Sequence, residues 1–173
     1  MLGDAQEQWL LGGVVDDGMW DLVAQSTVMA DTSVTLGGIR AINNDQWDGY
    51  PVARERVVAG LAASPRSLVL SGDIHAAMAN EVRAGGAAIP ELVAPSVTTR
   101  MDPAIALGLS LVLRRSRGIA AFRPDVHGYL LLTIESDQVI ARLRSVDPQR
   151  PDDEATDVAT WTVEAGRSFP RTD

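Results

Sequence analysis

The sequence predicts a layered α/β (α+β) fold, and three observations carry that expectation. Helical and strand patterns alternate through the first hundred residues. Ser67-Leu68-Val69-Leu70 is a short apolar run bounded by turn signals, which fits a fully buried strand. Tyr129 to Ile134 and Val139 to Val146 then alternate like two strands of a hairpin, with Glu135-Ser136-Asp137 as its turn. Helices among strands early and a hairpin late argue for β-sheets flanked by helices, not for a bundle or a β-sandwich.

Taken in order, Asp4 to Val15 reads as a short helix with Asp4 as N-cap, ended by Gly12-Gly13 and Asp16-Asp17-Gly18. Trp20 to Thr27 reads as a strand, and Ala30 to Asp45, polar and Gly-rich, as a loop. Pro51 suits the first turn of a helix running to about Ala63, with Val57, Val58 and Leu61 as its apolar side. After the strand at Ser67, further strands are expected at Ala79 to Ala84 and Glu91 to Thr99, and a helix from Pro103 to Arg117. Pro148 to Thr156 reads as a loop, and Trp161 to Ala165 as a last strand. The expected organisation is a body over residues 1–147 and a C-terminal tail over 148–173.

A chain of 173 residues is long enough for one domain with its own core, and 46% hydrophobic with 22% charged residues is ordinary for a globular protein. No apolar run approaches the ~20 residues of a membrane span. Met1 is followed by Leu-Gly-Asp without a basic stretch or an apolar segment, so the chain as it stands reads without a signal peptide. The formal net charge of −8 disfavours nucleic acid and anionic membrane as partners. An acidic protein that handles phosphate esters needs local cations, and bound metal is one source of them. With no cysteine, disulfides and thiolate metal sites are excluded.

The chemistry-bearing segment is Leu68 to His75, LVLSGDIH. In an extended backbone, residues two apart share a face, so Asp73 and His75 are expected to project together from the C-terminal end of a buried strand. A carboxylate and an imidazole suit iron, manganese or zinc, and Gly72 would let ligand and backbone approach closely. The alternative is a strand end with a polar turn. A catalytic ion needs about three protein ligands, so this pair would be part of a set.

Asn44 to Arg56, NDQWDGYPVARER, crowds acid, Trp, Gly and Tyr just before a helix. Asp45, Trp47 and Tyr50 are candidates for substrate contact there, the two aromatics as pocket wall or lid. Arg54 or Arg56 is a candidate for a phosphate oxygen. The alternative is a turn feeding a helix whose arginines are solvated or paired with Glu55. His127, in Asp125-Val-His-Gly-Tyr129, is either a ligand or acid/base group or the anchor of a turn. Asp16-Asp17 and Asp152-Asp153-Glu154 read as solvated loop charges. G-x-S-x-G, Walker, G-x-G-x-x-G and H-E-x-x-H motifs are absent.

Together and in order, these segments resemble the PhoD-like phosphatase (alkaline phosphatase D) family, a branch of the calcineurin-like metallophosphoesterases. The matching pieces are MLGDAQEQWL at 1–10, WDLVAQ at 20–25, DQWDGYP at 45–51, RER at 54–56, LVLSGDIHAAMANE at 68–81, ELVAPSVTT at 91–99 and HGYLLLTI at 127–134. The resemblance implies a core of two packed β-sheets flanked by helices. It also implies hydrolysis of phosphomonoesters and phosphodiesters at a cluster of iron with calcium. Gly72 to His75 stands where the wider superfamily has its last metal block, G-H-x-H, so the ligand role passes to Asp73 and His75, with Asp73 replacing a histidine. Earlier metal blocks of the family are not present in this chain, which resembles the C-terminal part of the catalytic domain, begun mid-domain. Family members are typically exported. Two expectations stay open: a parent enzyme to which this chain gives part of the site, joined by an upstream half, or a non-catalytic remnant or interaction module that needs a partner chain.

Overall fold

In a computed structural model, described at residues 1–36, 38–113, 116, 118–150, 152–167 and 169, the chain forms three α-helices and ten strands among the described residues. Helix α1 spans Asp4–Gly12, followed by β1 (Asp21–Ala24), β2 (Val34–Leu36) and β3 (Ile39–Ala41). A single 3-10 turn at Trp47–Gly49 leads into α2 (Pro51–Leu61) and β4 (Ser67–Ser71). Then come β5 (Ala77–Ala84), β6 (Ala87–Val93), α3 (Pro103–Leu113), β7 (Ile119–Arg123), β8 (Gly128–Ile134), β9 (Gln138–Ser145) and β10 (Thr156–Glu164).

A five-stranded mixed sheet has the order β1-β4-β6-β5-β7, with β1, β4 and β6 parallel and β5 antiparallel to both its neighbours. A three-stranded antiparallel sheet, β10-β9-β8, packs on one face of it, and β2 and β3 form a separate small hairpin. Strand alternation sorts the core into layers. Leu68, Ala79 and Leu92 point to the second sheet and meet Val139, Ala141 and Val163. Val69, Met78, Val82 and Val93 point the other way, onto Val57, Val58 and Leu61 of α2. β4 is therefore covered on both faces, which is why its sequence is a continuous apolar run. Leu68, the fully buried leucine there, contributes roughly 1.5–3 kcal/mol.

Several expected elements shift. The first helix stops at Gly12, where the Gly12-Gly13 pair ends it, and does not reach Val15. The expected 30–45 loop contains the β2–β3 hairpin. The strand expected at Glu91 to Thr99 is instead Ala87–Val93, joined to β5 by the two-residue turn Gly85-Gly86, whose φ values of 57° and 84° suit glycine. The helix from Pro103 is described to Leu113, and Arg114, Arg115 and Arg117 lie outside the described residues. The sequence gives no expectation of β7. The last strand starts earlier than the expected Trp161, at Thr156, and pairs with β9 along its length, so the 148–173 segment contributes an edge strand to the second sheet.

Candidate metal centre

The C-terminal ends of the parallel strands β1, β4 and β6 meet at one edge of the sheet. Gln25 N–H donates to Leu70 O (2.9 Å), and Ala94 N–H donates to Ser71 O (2.8 Å). β4 ends at Ser71, and the next residues turn instead of extending. Ile74 N–H donates to Gly72 O (2.9 Å) across Asp73, whose φ is +70°, the signature of a γ-turn. His75 has φ +57°. The expectation that Asp73 and His75 share a face through an extended backbone is thereby corrected: the chain is left-handed at both residues, so strand alternation does not set their directions. Gly72 has no crowding to relieve. A Cβ there would lie 3.7 Å from Ser26 O and 4.0 Å from Ala94 O, which is ordinary contact.

Asp73 is exposed and His75 half-buried. Gln46, 2% exposed, donates from Nε2 to Asp73 Oδ2 (2.6 Å), while its Oε1 accepts from Val28 N–H (2.5 Å). Asp73 Oδ1 and both ring nitrogens of His75 have no hydrogen-bond partner among the described residues, so those donor atoms are open to a ligand. Gln46 sits inside the Asn44 to Arg56 block, but an amide among acids and aromatics carries no signal of its own in the sequence.

Behind this loop lies a buried polar network. Glu91, fully buried on β6, accepts from Met29 N–H (2.7 Å), Ala30 N–H (2.9 Å), Ser71 Oγ (2.6 Å) and Asn80 Nδ2 (2.9 Å). Asn80 faces Glu91 in the β5–β6 register, so strand pairing itself brings them together. Burial raises the Glu91 carboxyl above its ordinary value, against the lowering effect of these four donors.

The aromatic-rich block serves this network more than a pocket. Trp47 is 2% exposed and donates from Nε1 to Gln25 Oε1 (3.2 Å), so it is core rather than pocket wall. Arg54 is 7% exposed and bound to Asp48 (2.8 Å) and to Met29 O (3.2 Å), with Asp31 at 3.9 Å, so its guanidinium is committed inside the protein. Arg56 pairs with Glu7 of α1 through two contacts of 2.6 and 2.9 Å, not with Glu55. Tyr50 and Asp45 are exposed, and Asp45 N–H donates to Asn43 Oδ1. His127 is buried at the start of β8, bound to Arg100. Asp16, Asp17, Asp152, Asp153 and Glu154 are all exposed.

Among the described residues, no group of three or more His, Cys, Asp or Glu side chains converges as an ion would need. The donor chemistry of Asp73 and His75 therefore fits one side of a metal site and not a complete one.

Comparison with known proteins places this arrangement. The family model of the PhoD-like phosphatases matches residues 1–143. Alkaline phosphatase D of Bacillus subtilis (strain 168) is 33% identical over 85 residues, covering 47% of this chain and 15% of that protein. A solved structure of PhoD superposes with a TM-score of 0.76 at 25% identity, covering 95% of this chain and 33% of the other. The chain thus spans about a third or less of the length of the relatives it matches. With the family model matched over most of its length and its sheets and flanking helices similar to those of the solved PhoD structure, the chain belongs to the PhoD-like phosphatase family.

Proposed function

We propose that this chain supplies one side of a metal-dependent phosphoester hydrolysis site, with Asp73 and His75 as ligands. The reaction of the parent enzyme would be hydrolysis of phosphomonoesters or phosphodiesters, with iron and calcium as its ions. The observation that carries this reading is the turn itself. Two non-glycine residues, Asp73 and His75, stand in the left-handed region at an accessible strand end, and a buried glutamine grips one carboxylate oxygen. Such backbone costs of order 1–3 kcal/mol per residue and persists where the surroundings over-determine it, typically at ligand sites.

Bound metal would neutralise charge on the phosphoryl oxygens and acidify a water. The chain's own part is to present Asp73 Oδ1 and a His75 nitrogen, and to fix the carboxylate plane through Gln46. Such support from behind a ligand typically changes metal affinity about 10–100-fold. The test is metal content after dialysis against iron and calcium salts, with p-nitrophenyl phosphate turnover measured when the chain is joined to a matching upstream half. His75→Ala should lose bound metal and turnover together. Full metal content in that variant would remove the assignment.

A second reading is a non-catalytic module that needs a partner chain. It is favoured by α3, an apolar helix that leaves Ile105, Leu107 and Leu111 more than half exposed and buries only Leu113 among its described side chains. Light scattering on the purified chain decides this reading: a stable monomer at high concentration would count against it.

A further inference from the structure

We propose that Arg100 is a seat for a phosphoryl oxygen and that His127 is the residue that positions it. The identity of the anion rests on the phosphoesterase reading; the binding site itself does not.

Arg100 Nε lies 2.7 Å from His127 Nε2. A guanidinium only donates, so the ring must offer a lone pair at Nε2 and carry its proton on Nδ1. That Nδ1 is buried and has no hydrogen-bond partner, and the residue is 6% exposed. Leaving a buried donor without an acceptor is costly, and the cost is accepted here only because the arginine takes the other nitrogen. The backbone holds the ring in place. His127 O accepts from Val146 N–H (3.0 Å), and Gly128 N–H donates to Ser96 O (3.1 Å). Gly128 has φ +154°, and a Cβ there would fall 1.8 Å from Arg144 O, so the chain passes at a fixed closest approach.

The arginine so held has no carboxylate. Every other described arginine lies within ion-pair distance of an acid. Arg100 has no such partner among the described residues, although it is exposed in a chain of net charge −8. Asp147 is within its field, but that carboxyl is held low first by the Gln149 N–H and is bound to Arg150 (3.1 Å); Arg100 is the smallest of the causes. With Nε committed to His127, the two Nη groups remain as a fixed fork, the geometry that grips a phosphate through two oxygens. The placement is apt. The loop that carries Arg100 leaves β6 at Ala94, whose N–H is bound to Ser71 O at the end of β4. Ser96 Oγ stiffens that loop by accepting from Thr98 and Thr99 N–H (3.3 and 2.9 Å).

The chain has two histidines, so the ring signals of His75 and His127 in proton NMR are separate reporters within one molecule. Inorganic phosphate is titrated into the metal-free 173-residue chain at constant pH and ionic strength, and His75→Ala assigns the signals. The expected result is a saturable shift of the His127 signal that Arg100→Gln weakens about tenfold or more, roughly the loss of one charge-assisted pair. With phosphate affinity read by titration calorimetry, since these variants lack the His127 signal, His127→Gln, which keeps an acceptor, should retain more of it than His127→Leu, with unchanged circular dichroism in both. A His127 signal indifferent to phosphate, or an Arg100→Gln variant that binds as the parent does, overturns the proposal. Metal binding at His75 is read in the same spectra from the other signal. Phosphate binding without metal binding would therefore leave this site standing while removing the metal assignment, and the reverse outcome would do the opposite.

Discussion

Replacing Glu91 by leucine tests whether the sheet holds the candidate loop in place. The carboxylate is the acceptor for Met29 and Ala30 N–H, for Ser71 Oγ and for Asn80 Nδ2, all in the interior. Leucine fits the space but accepts nothing. The Ser71 hydroxyl can turn and Asn80 can flip, but the two backbone N–H groups cannot. At about 1–3 kcal/mol per orphaned donor they cost about 2–6 kcal/mol. Burial of the leucine offsets part of that, leaving an expected loss of at least about 2 kcal/mol from a total that is typically about 5–15 kcal/mol. Glutamine should be milder. Its amide oxygen replaces one carboxylate oxygen and its amine faces the other pair of donors, so one backbone N–H is orphaned instead of two. Urea unfolding followed by tryptophan fluorescence, in which buried Trp47 reports directly, should rank the parent above Glu91→Gln and that above Glu91→Leu. A leucine variant within about 1 kcal/mol of the parent, or a glutamine variant as damaged as the leucine one, would refute the hydrogen-bond account.

The same residue sets a pH dependence. Burial raises the Glu91 carboxyl in the folded chain above its unfolded value of 4.5, so between those two values the folded state holds a proton that the unfolded state has released. Stability contributed by this group is full below the unfolded value and falls as pH rises toward the folded one; denaturation midpoints of Glu91→Gln across pH should lack that decline. Arg54→Met should cost about 3–5 kcal/mol by stranding the Asp48 carboxylate, whose side chain is fully buried, and thermal unfolding of Arg54→Met with Asp48→Asn should show the double variant less damaged than the sum of the two. His75→Gly should lose metal but hold or gain stability by up to about 1 kcal/mol, since glycine adopts φ +57° without a Cβ penalty; a clear loss of stability in calorimetry would mean that the imidazole packs as a structural group.

Much of the fold was legible where one sequence pattern has one structural cause. The run at Ser67 to Leu70 is apolar throughout because helix α2 covers one face and the second sheet the other. The hairpin of β8 and β9 shows alternation because only one face of it is buried. β7 is hard to read because Ile119-Ala-Ala-Phe-Arg is a short strand at the edge of the sheet, paired with β5, and has no alternation to mark it. The Gly85-Gly86 turn was there to be read, and would have placed β6 four residues earlier. The site divides in the same way. Asp73 and His75 stand out by residue type and order, but positive φ at a non-glycine residue leaves no mark in composition. Trp47 and Arg54 look like surface recognition residues until their partners are known. Two of those partners, Gln25 for Trp47 and Met29 O for Arg54, lie 22 and 25 residues away in sequence and are brought close only by the fold, while Asp48, the ion-pair partner of Arg54, sits in the same block.

The strained turn also explains why the interior behind it is polar. A loop held away from its relaxed conformation reverts unless something stiff holds it. Here the hold is a continuous series of hydrogen bonds running from the sheet outward. Glu91 on β6 fixes Met29 and Ala30, their neighbour Val28 fixes Gln46, and Gln46 fixes one oxygen of Asp73. An apolar side chain at Glu91 would leave the Met29 and Ala30 N–H groups without an acceptor, and it could not transmit direction to a single carboxylate oxygen. His75 has no such series behind it among the described residues. In the proposed site its ring has no hydrogen bond from the described residues to fix it, so Asp73 is the pre-set ligand and His75 the one that settles when the ion binds.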